Sequence, residues 1–292
     1  MKMKQFFALA LALCLLALAG CGTQDAGGSA SPSDSAATEP AHSAAISVYT
    51  NAYFAPFEYY DGTDIVGVDV DVMNMVGEKL GREVTYTNVE FGTIIDTVSA
   101  GRLADVGAAG ITITDSRKEQ VDFSDPYFTS VQYVIYPTGT MTPDGTDGDV
   151  SYILWDSLAG KKIGVQADTT GDIYVGGEIT GEDFDGLLKD TGAEETRYDN
   201  AQLAADAVGA GQVDVVVVDY LPASYIVEKN AGFECAALYY DNGDGTVAPT
   251  EEQYAICVTK GQDELLSAIN EVLAGLGKDG VNDLVMKHMG LE

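Results

Sequence analysis

Two distant segments of the chain enter a buried strand in the same way. Gly101-Arg102-Leu103-Ala104-Asp105 leads into the small or apolar run 103–109, and Gly211-Gln212-Val213-Asp214 leads into 213–218, which ends at Asp219. Runs that are apolar on both faces belong to strands covered by helices on both sides. Asp105 and Asp214 are read as turn residues at the strand entrances rather than as catalysts.

What precedes each run completes the pattern. Residues 46–50 read as a strand, Val72, Met73, Val76 and Leu80 recur at helical spacing up to Gly81, 83–88 alternate as a strand, and Ile94, Ile95 and Val98 mark a short helix before Gly101. The order repeats farther on. Residues 131–136 read as a strand, 137–150 as a turn-rich segment, 162–166 as a strand, Thr169-Thr170-Gly171-Asp172 as a helix start, 196–198 as extended and 201–210 as helical. Strands are also expected at 235–240 and 253–258. Leu265, Leu266, Ile269, Val272, Leu273 and Leu276 then form a helical face, and a second short helix covers 281–289. Strand and helix alternating in this way predict α/β lobes with parallel sheets, whose ligands bind beyond the carboxyl ends of the strands. Two such lobes joined by extended crossings make a hinged clamp.

Residues 110–117, Gly-Ile-Thr-Ile-Thr-Asp-Ser-Arg, lie at such a strand end. The alternation of Ile111 and Ile113 with Thr112 and Thr114 reads as a strand running out of the sheet. Arg117 can then reach back and grip a planar anion through two parallel N–H bonds, with the Thr112 hydroxyl adding a third partner. The same letters also read as a helix N-cap at Thr114-Asp115, with Arg117-Lys118-Glu119 a solvated first turn. In 51–60 a proline sits among aromatics: Phe57 and Tyr59 are expected in the core, Tyr53 or Phe54 in a pocket wall.

The chain of 292 residues is long enough for two domains, and its start belongs to neither. Lys2 and Lys4 precede an apolar run over 6–19, too short for a membrane span, so 1–20 read as a secretory signal peptide. Leu18-Ala19-Gly20-Cys21 resembles a bacterial lipobox, which makes Cys21 the lipid-modified first residue of the mature chain. Residues 21–45, rich in Gly, Ser, Ala, Pro, Thr and acids, are a flexible tether. The formal charge of −31 disfavours nucleic acid and anionic lipid headgroups as partners, and no acidic cluster has calcium-loop spacing. His42 and His288 are too few for a zinc site, and no cofactor is expected. Cys235 and Cys257 fit either a disulfide or two buried thiols.

A family resemblance rests on ordered motifs: Ala55-Pro56-Phe57-Glu58-Tyr59, Val66-Gly67-Val68-Asp69-Val70-Asp71, Ala109-Gly110-Ile111-Thr112-Ile113-Thr114 with Arg117, and Val121-Asp122-Phe123-Ser124-Asp125-Pro126-Tyr127. Gly164-Val165-Gln166, Thr169-Thr170-Gly171 and Val213-Asp214 through Asp219 follow in the same order. The chain resembles the polar amino acid substrate-binding proteins of ABC importers, the extracellular solute-binding proteins of family 3. The resemblance implies an α/β, two-lobed periplasmic-binding-protein-like fold of type II, with a ligand cleft between lobes joined by a two-strand hinge. The first lobe would comprise 46–131 and 254–292, the second 132–253.

It also implies roles. Arg117 grips the α-carboxylate of a free amino acid, Thr112, Thr169 and Thr170 add hydrogen bonds, and Gly110 offers its carbonyl to the α-ammonium. Asp219 is the ammonium's anion, Phe54 and Phe91 wall the side chain, and Asn51 and Gln166 read its polarity. The partners implied are a free amino acid, an ABC permease and a membrane reached through the lipid on Cys21. Three positions depart from the family pattern, one being Val218, apolar immediately before Asp219 where some glutamine binders carry a polar residue. Asn51 stands where binders of cationic side chains carry Asp, which favours a neutral or polar ligand, and Asp168 stands where Gly is frequent, so it either adopts a glycine-like backbone or returns charge to the cleft. An enzyme on this fold, such as a cyclic dehydratase, would need an acid or base over the ligand. No histidine lies in the motifs, and Glu90 and Asp168 are read as solvated acids, so the expectation is a binding receptor rather than an enzyme. A sensory module is the remaining alternative.

Overall fold

The repeated strand and helix pattern resolves into two large sheets, and Tyr53–Phe54, Glu58–Asp61 and Asp64–Val66 form a small third one. The structure, a computed structural model, describes residues 45–182 and 184–291. The expected signal peptide 1–20, Cys21, His42 and the tether up to residue 44 lie outside the described residues. Among the described residues no helix is long and apolar enough to cross a membrane.

The first sheet has five strands in the order Val84–Asn88, Ile46–Thr50, Val106–Gly107, Cys257–Val258 and Asp122–Phe123. The first three run parallel, with Val48 paired to both Tyr86 and Val106, and Cys257–Val258 lies antiparallel to its two neighbours. Strands buried on both faces need helices on both, and the alternation of side chains supplies them. Helix Val68–Leu80 packs Val72, Met73 and Val76 against Ile46, Val48, Val106 and Val258, together with Leu265 and Ile269 of helix Asp263–Met289. Ile94, Ile95 and Val98 of helix Ile94–Ala100 pack on the opposite face with Ile111 and Cys257. The two expected C-terminal helices are arms of one element, broken at Gly277 (φ 58°, ψ −175°).

The second sheet runs in the order Glu194–Tyr198, Lys162–Gln166, Val215–Asp219, Phe128–Pro137, Phe233–Asp241, Val150–Leu154 and Gly145–Asp147, with Val247–Pro249 and Glu251–Tyr254 at its side. Its first three strands are parallel, and Val215–Asp219 meets Phe128–Pro137 antiparallel, which sets Asp219 opposite Gln132. Two crossings join the sheets. The chain passes from Asp122–Phe123 into Phe128–Pro137 and returns from Glu251–Tyr254 into Cys257–Val258. The crossings are hydrogen-bonded to each other, Tyr254 pairing with Phe128 and Glu251 with Val131.

The echo at the strand entrances is a pair of side-chain clips. Asp105 accepts from the backbone N–H and hydroxyl of Ser47, and Asp214 accepts from the N–H of Lys162 at 2.8 Å. Each aspartate ties its strand to the start of the parallel neighbour.

Three details differ from the sequence reading. The run 103–109 pairs as a strand only at Val106–Gly107, because the chain is still turning at Leu103, which is 70% exposed. Residues 111–114 are not a strand of the first sheet. They lie along the returning crossing instead, through a single bridge from Thr112 to Tyr254 and backbone bonds linking Ile113 to Gln253 and Ala255 to Ile111. Tyr59 is not a core residue like Phe57 but is half-buried, its hydroxyl 3.2 Å from Nδ1 of His288. Cys235 and Cys257 are both free thiols, and burial pushes them up to about 11 and about 12.

Candidate functional site

A narrow cavity lies where the two sheets' loops meet. From the side of the first sheet it is lined by Asn51, Phe54, Phe91, Gly110 and Thr112, and from the side of the second by Gln166, Thr169, Thr170 and Asp219. These nominated residues are therefore brought together. Tyr53 is not among them: it is 49% exposed, whereas Phe54 is buried.

Arg117 stands behind this lining, and its local structure satisfies both readings of residues 110–117. The Thr114 hydroxyl accepts from the Arg117 N–H and caps the short helix Asp115–Lys118. The guanidinium is nevertheless buried rather than solvated, because that cap turns the side chain back into the cleft. Its Nη1 donates to the Thr112 carbonyl at 2.8 Å, its Nη2 donates to the Asp168 carbonyl at 3.1 Å, and its Cζ sits 5.4 Å from the centre of the Phe91 ring. A guanidinium has five N–H donors, so these two bonds leave donors for an anion. Burial lowers its pKa, and the nearby Glu252, Cys257, Asp219 and Asp168 raise it; an arginine stays charged regardless.

Near Arg117, two side-chain bonds join the first lobe to residues 166–168 of the second. One is the Arg117 bond to Asp168; in the other the Gln166 amide donates to Asn51 Oδ1 at 3.1 Å, while Asn51 Nδ2 donates to the Val89 carbonyl. Asp168 takes the left-handed backbone that glycine would supply, φ 63°, and its N–H is held by Asp172 at 2.7 Å. Its carboxylate faces Gly92 so closely that a Cβ there would lie 2.1 Å from Oδ2. Gly110, at φ 54°, is fixed by its N–H bond to Asp69 Oδ2 at 2.9 Å.

The acidic wall holds residues that the sequence did not point to. Asp219 accepts from the hydroxyl of Tyr254, a fully buried residue of the returning crossing. Glu252, two residues earlier, accepts at Oε2 from Thr112 and at Oε1 from Gln132, each at 2.5 Å, so one carboxyl ties the first lobe to the crossing strand. Burial and the neighbouring Asp219 hold Glu252 well above the usual carboxylate range. Glu58 and Ala109 also line the cavity. Glu58 came to notice only inside the motif 55–59, and Glu252 had no signal, because an acid in a charged, turn-bounded stretch reads as surface.

A buried cation behind one wall of the cavity and the buried Asp219 on the other form a receptacle for a molecule that carries both charges. Residues 46–290 match the family of bacterial extracellular solute-binding proteins, family 3, and the chain belongs to that family. A probable histidine-binding protein of Neisseria gonorrhoeae is 30% identical over 98% of this chain and 95% of its own length. Among solved structures, an ancestral arginine-binding protein bound to arginine is 34% identical with a TM-score of 0.66, over 83% of this chain and 96% of that one. An ancestral arginine-binding protein bound to glutamine is 32% identical with a TM-score of 0.67, over 85% and 99%. The two-lobed fold read from the sequence is that of these relatives. The family and its members are binding receptors, which leaves no support for the enzyme alternative.

Proposed function

We propose that the chain is an extracytoplasmic receptor that captures a free amino acid by closing its two lobes on it and delivers it to an ABC importer. The observation that carries the reading is the buried Arg117, with spare donors, bonded to Thr112 of the cavity lining, while the other lobe contributes Asp219 to that lining. A zwitterion bridges the two, so its binding energy is available only in the closed form and favours closure. In this reading the first lobe is 46–131 with 254–292 and the second is 132–253. Thr112, Thr169, Thr170 and the Gly110 carbonyl complete the amino acid's polar shell, and Phe54 and Phe91 flank its side chain.

Within amino acids we place neutral or polar side chains first. Asn51 carries no charge, both of its amide atoms are engaged, and the buried Gln166 Oε1 lacks a partner among the described residues. That oxygen suits a side-chain N–H or O–H. The relatives' names add histidine and arginine as competing ligands. A thermal-shift screen over the common amino acids decides among them: a true ligand at a hundred times its Kd stabilises the fold by about 2.7 kcal/mol. L-glutamine is expected to shift the protein more than L-arginine does, and a protein that no amino acid stabilises contradicts the receptor reading.

The motif Leu18-Ala19-Gly20-Cys21 supports a lipid anchor on the outer face of a cell membrane, with 21–45 as the tether. Intact-mass measurement of the membrane fraction is expected to find a chain beginning at Cys21 with a diacylglyceryl addition. A soluble, unmodified mature chain would contradict the anchor.

A further inference from the structure

We propose that Glu58 is a further ligand-binding residue of this cleft, its carboxylate taking the positively charged nitrogen of the bound amino acid beside Asp219. The inference rests on the amino acid reading above and names a residue that the reading does not use.

Glu58 sits on the strand Glu58–Asp61, opposite Phe54, and lines the same cavity as Gly110, Thr112 and Asp219. It is completely buried, and neither of its carboxyl oxygens has a hydrogen-bond partner among the described residues. Every other acid of that wall is provided for. Asp219 has the Tyr254 hydroxyl, Glu252 has Thr112 and Gln132, and Asp69 has the Gly110 N–H and the Tyr127 hydroxyl. A buried carboxyl without partners is costly and calls for a reason.

The groups facing Glu58 are Asp69 on helix Val68–Leu80, Asp219 at the end of Val215–Asp219, and Tyr127 ahead of the first crossing. None is a cation. Burial first, then Asp69 and Asp219, hold the Glu58 carboxyl well above the usual carboxylate range, so it favours its protonated form while no cation faces it. An ammonium entering beside Asp219 reverses that preference. The proton leaves to solvent and the carboxylate gains the charge-assisted bond that no described residue offers.

Calorimetric titration of the full-length protein with L-glutamine, L-arginine and L-histidine, in two buffers of different ionisation enthalpy, reads affinity and protons released together. The wild type is expected to release protons on binding. Glu58→Gln is expected to bind the same amino acids about 10- to 100-fold more weakly and to release fewer protons. Should that variant fold poorly, Glu58→Asp takes its place and is expected to lose affinity while keeping the release. Wild-type affinity in Glu58→Gln overturns the proposal, and so does weakened binding with an unchanged proton count, which would mean that Glu58 acts through packing. If the wild type binds none of the three amino acids, the reading of the cleft fails, and this inference with it.

Discussion

Arg117→Ala is expected to abolish the stabilisation by every amino acid that shifts the wild type, while the variant stays folded. Removing one partner from a buried ion pair costs about 3–5 kcal/mol, so the loss in affinity is about 100-fold or more. The fold survives because Arg117 supports none of the core clusters. Its own bonds run to the carbonyls of Thr112 and Asp168, and the cost of burying its charge disappears with it. Arg117→Lys separates charge from geometry: it keeps the cation but not the planar fork, and should fall between wild type and alanine. Isothermal titration that finds tight binding in Arg117→Ala would remove Arg117 from the site.

The second large effect is on stability against pH, and its sign is opposite to that of common acid denaturation. Asp69 is raised by burial from 3.8 to about 6, despite its bonds from Tyr127 and Gly110. The folded state therefore holds this proton more tightly than the unfolded chain does. The stability it contributes is fully present below about pH 4 and lost as pH rises through about 6, a loss of about 3 kcal/mol. Glu58 and Glu252 are shifted in the same direction and extend the loss to higher pH. The formal charge of −31 adds self-repulsion that also grows as carboxylates ionise. Urea unfolding is thus expected to show a higher midpoint at pH 5 than at pH 8. Equal midpoints, or a higher one at pH 8, would mean that these acids are solvated.

The fold was legible where periodicity has one meaning. Val72, Met73, Val76 and Leu80 can share a face only in a helix, and Val215–Asp219 can be buried throughout only between two layers. Residues 110–117 show where periodicity has two. Ile111 and Ile113 alternate because the segment lies along the crossing at 253–255, which imposes the spacing of a strand without a place in the sheet. The N-cap at Thr114 and the buried Arg117 were competing readings of the same letters, yet the cap is what aims the arginine inward. The nominated cavity residues were legible through an ordered set of motifs. Glu252 was not, because its bonds run to Thr112 and Gln132, both distant in sequence.

Two of the side-chain bonds between the lobes bear on how faithfully such a receptor reports. Gln166 holds Asn51 and Arg117 holds the Asp168 carbonyl, and in the proposed site the same side chains serve the ligand. An occupant that takes over these donors therefore exchanges contacts rather than simply adding them. The false-alarm rate of the empty clamp and the strength of its true signal are written into the same atoms, so a substitution that quiets one also dims the other.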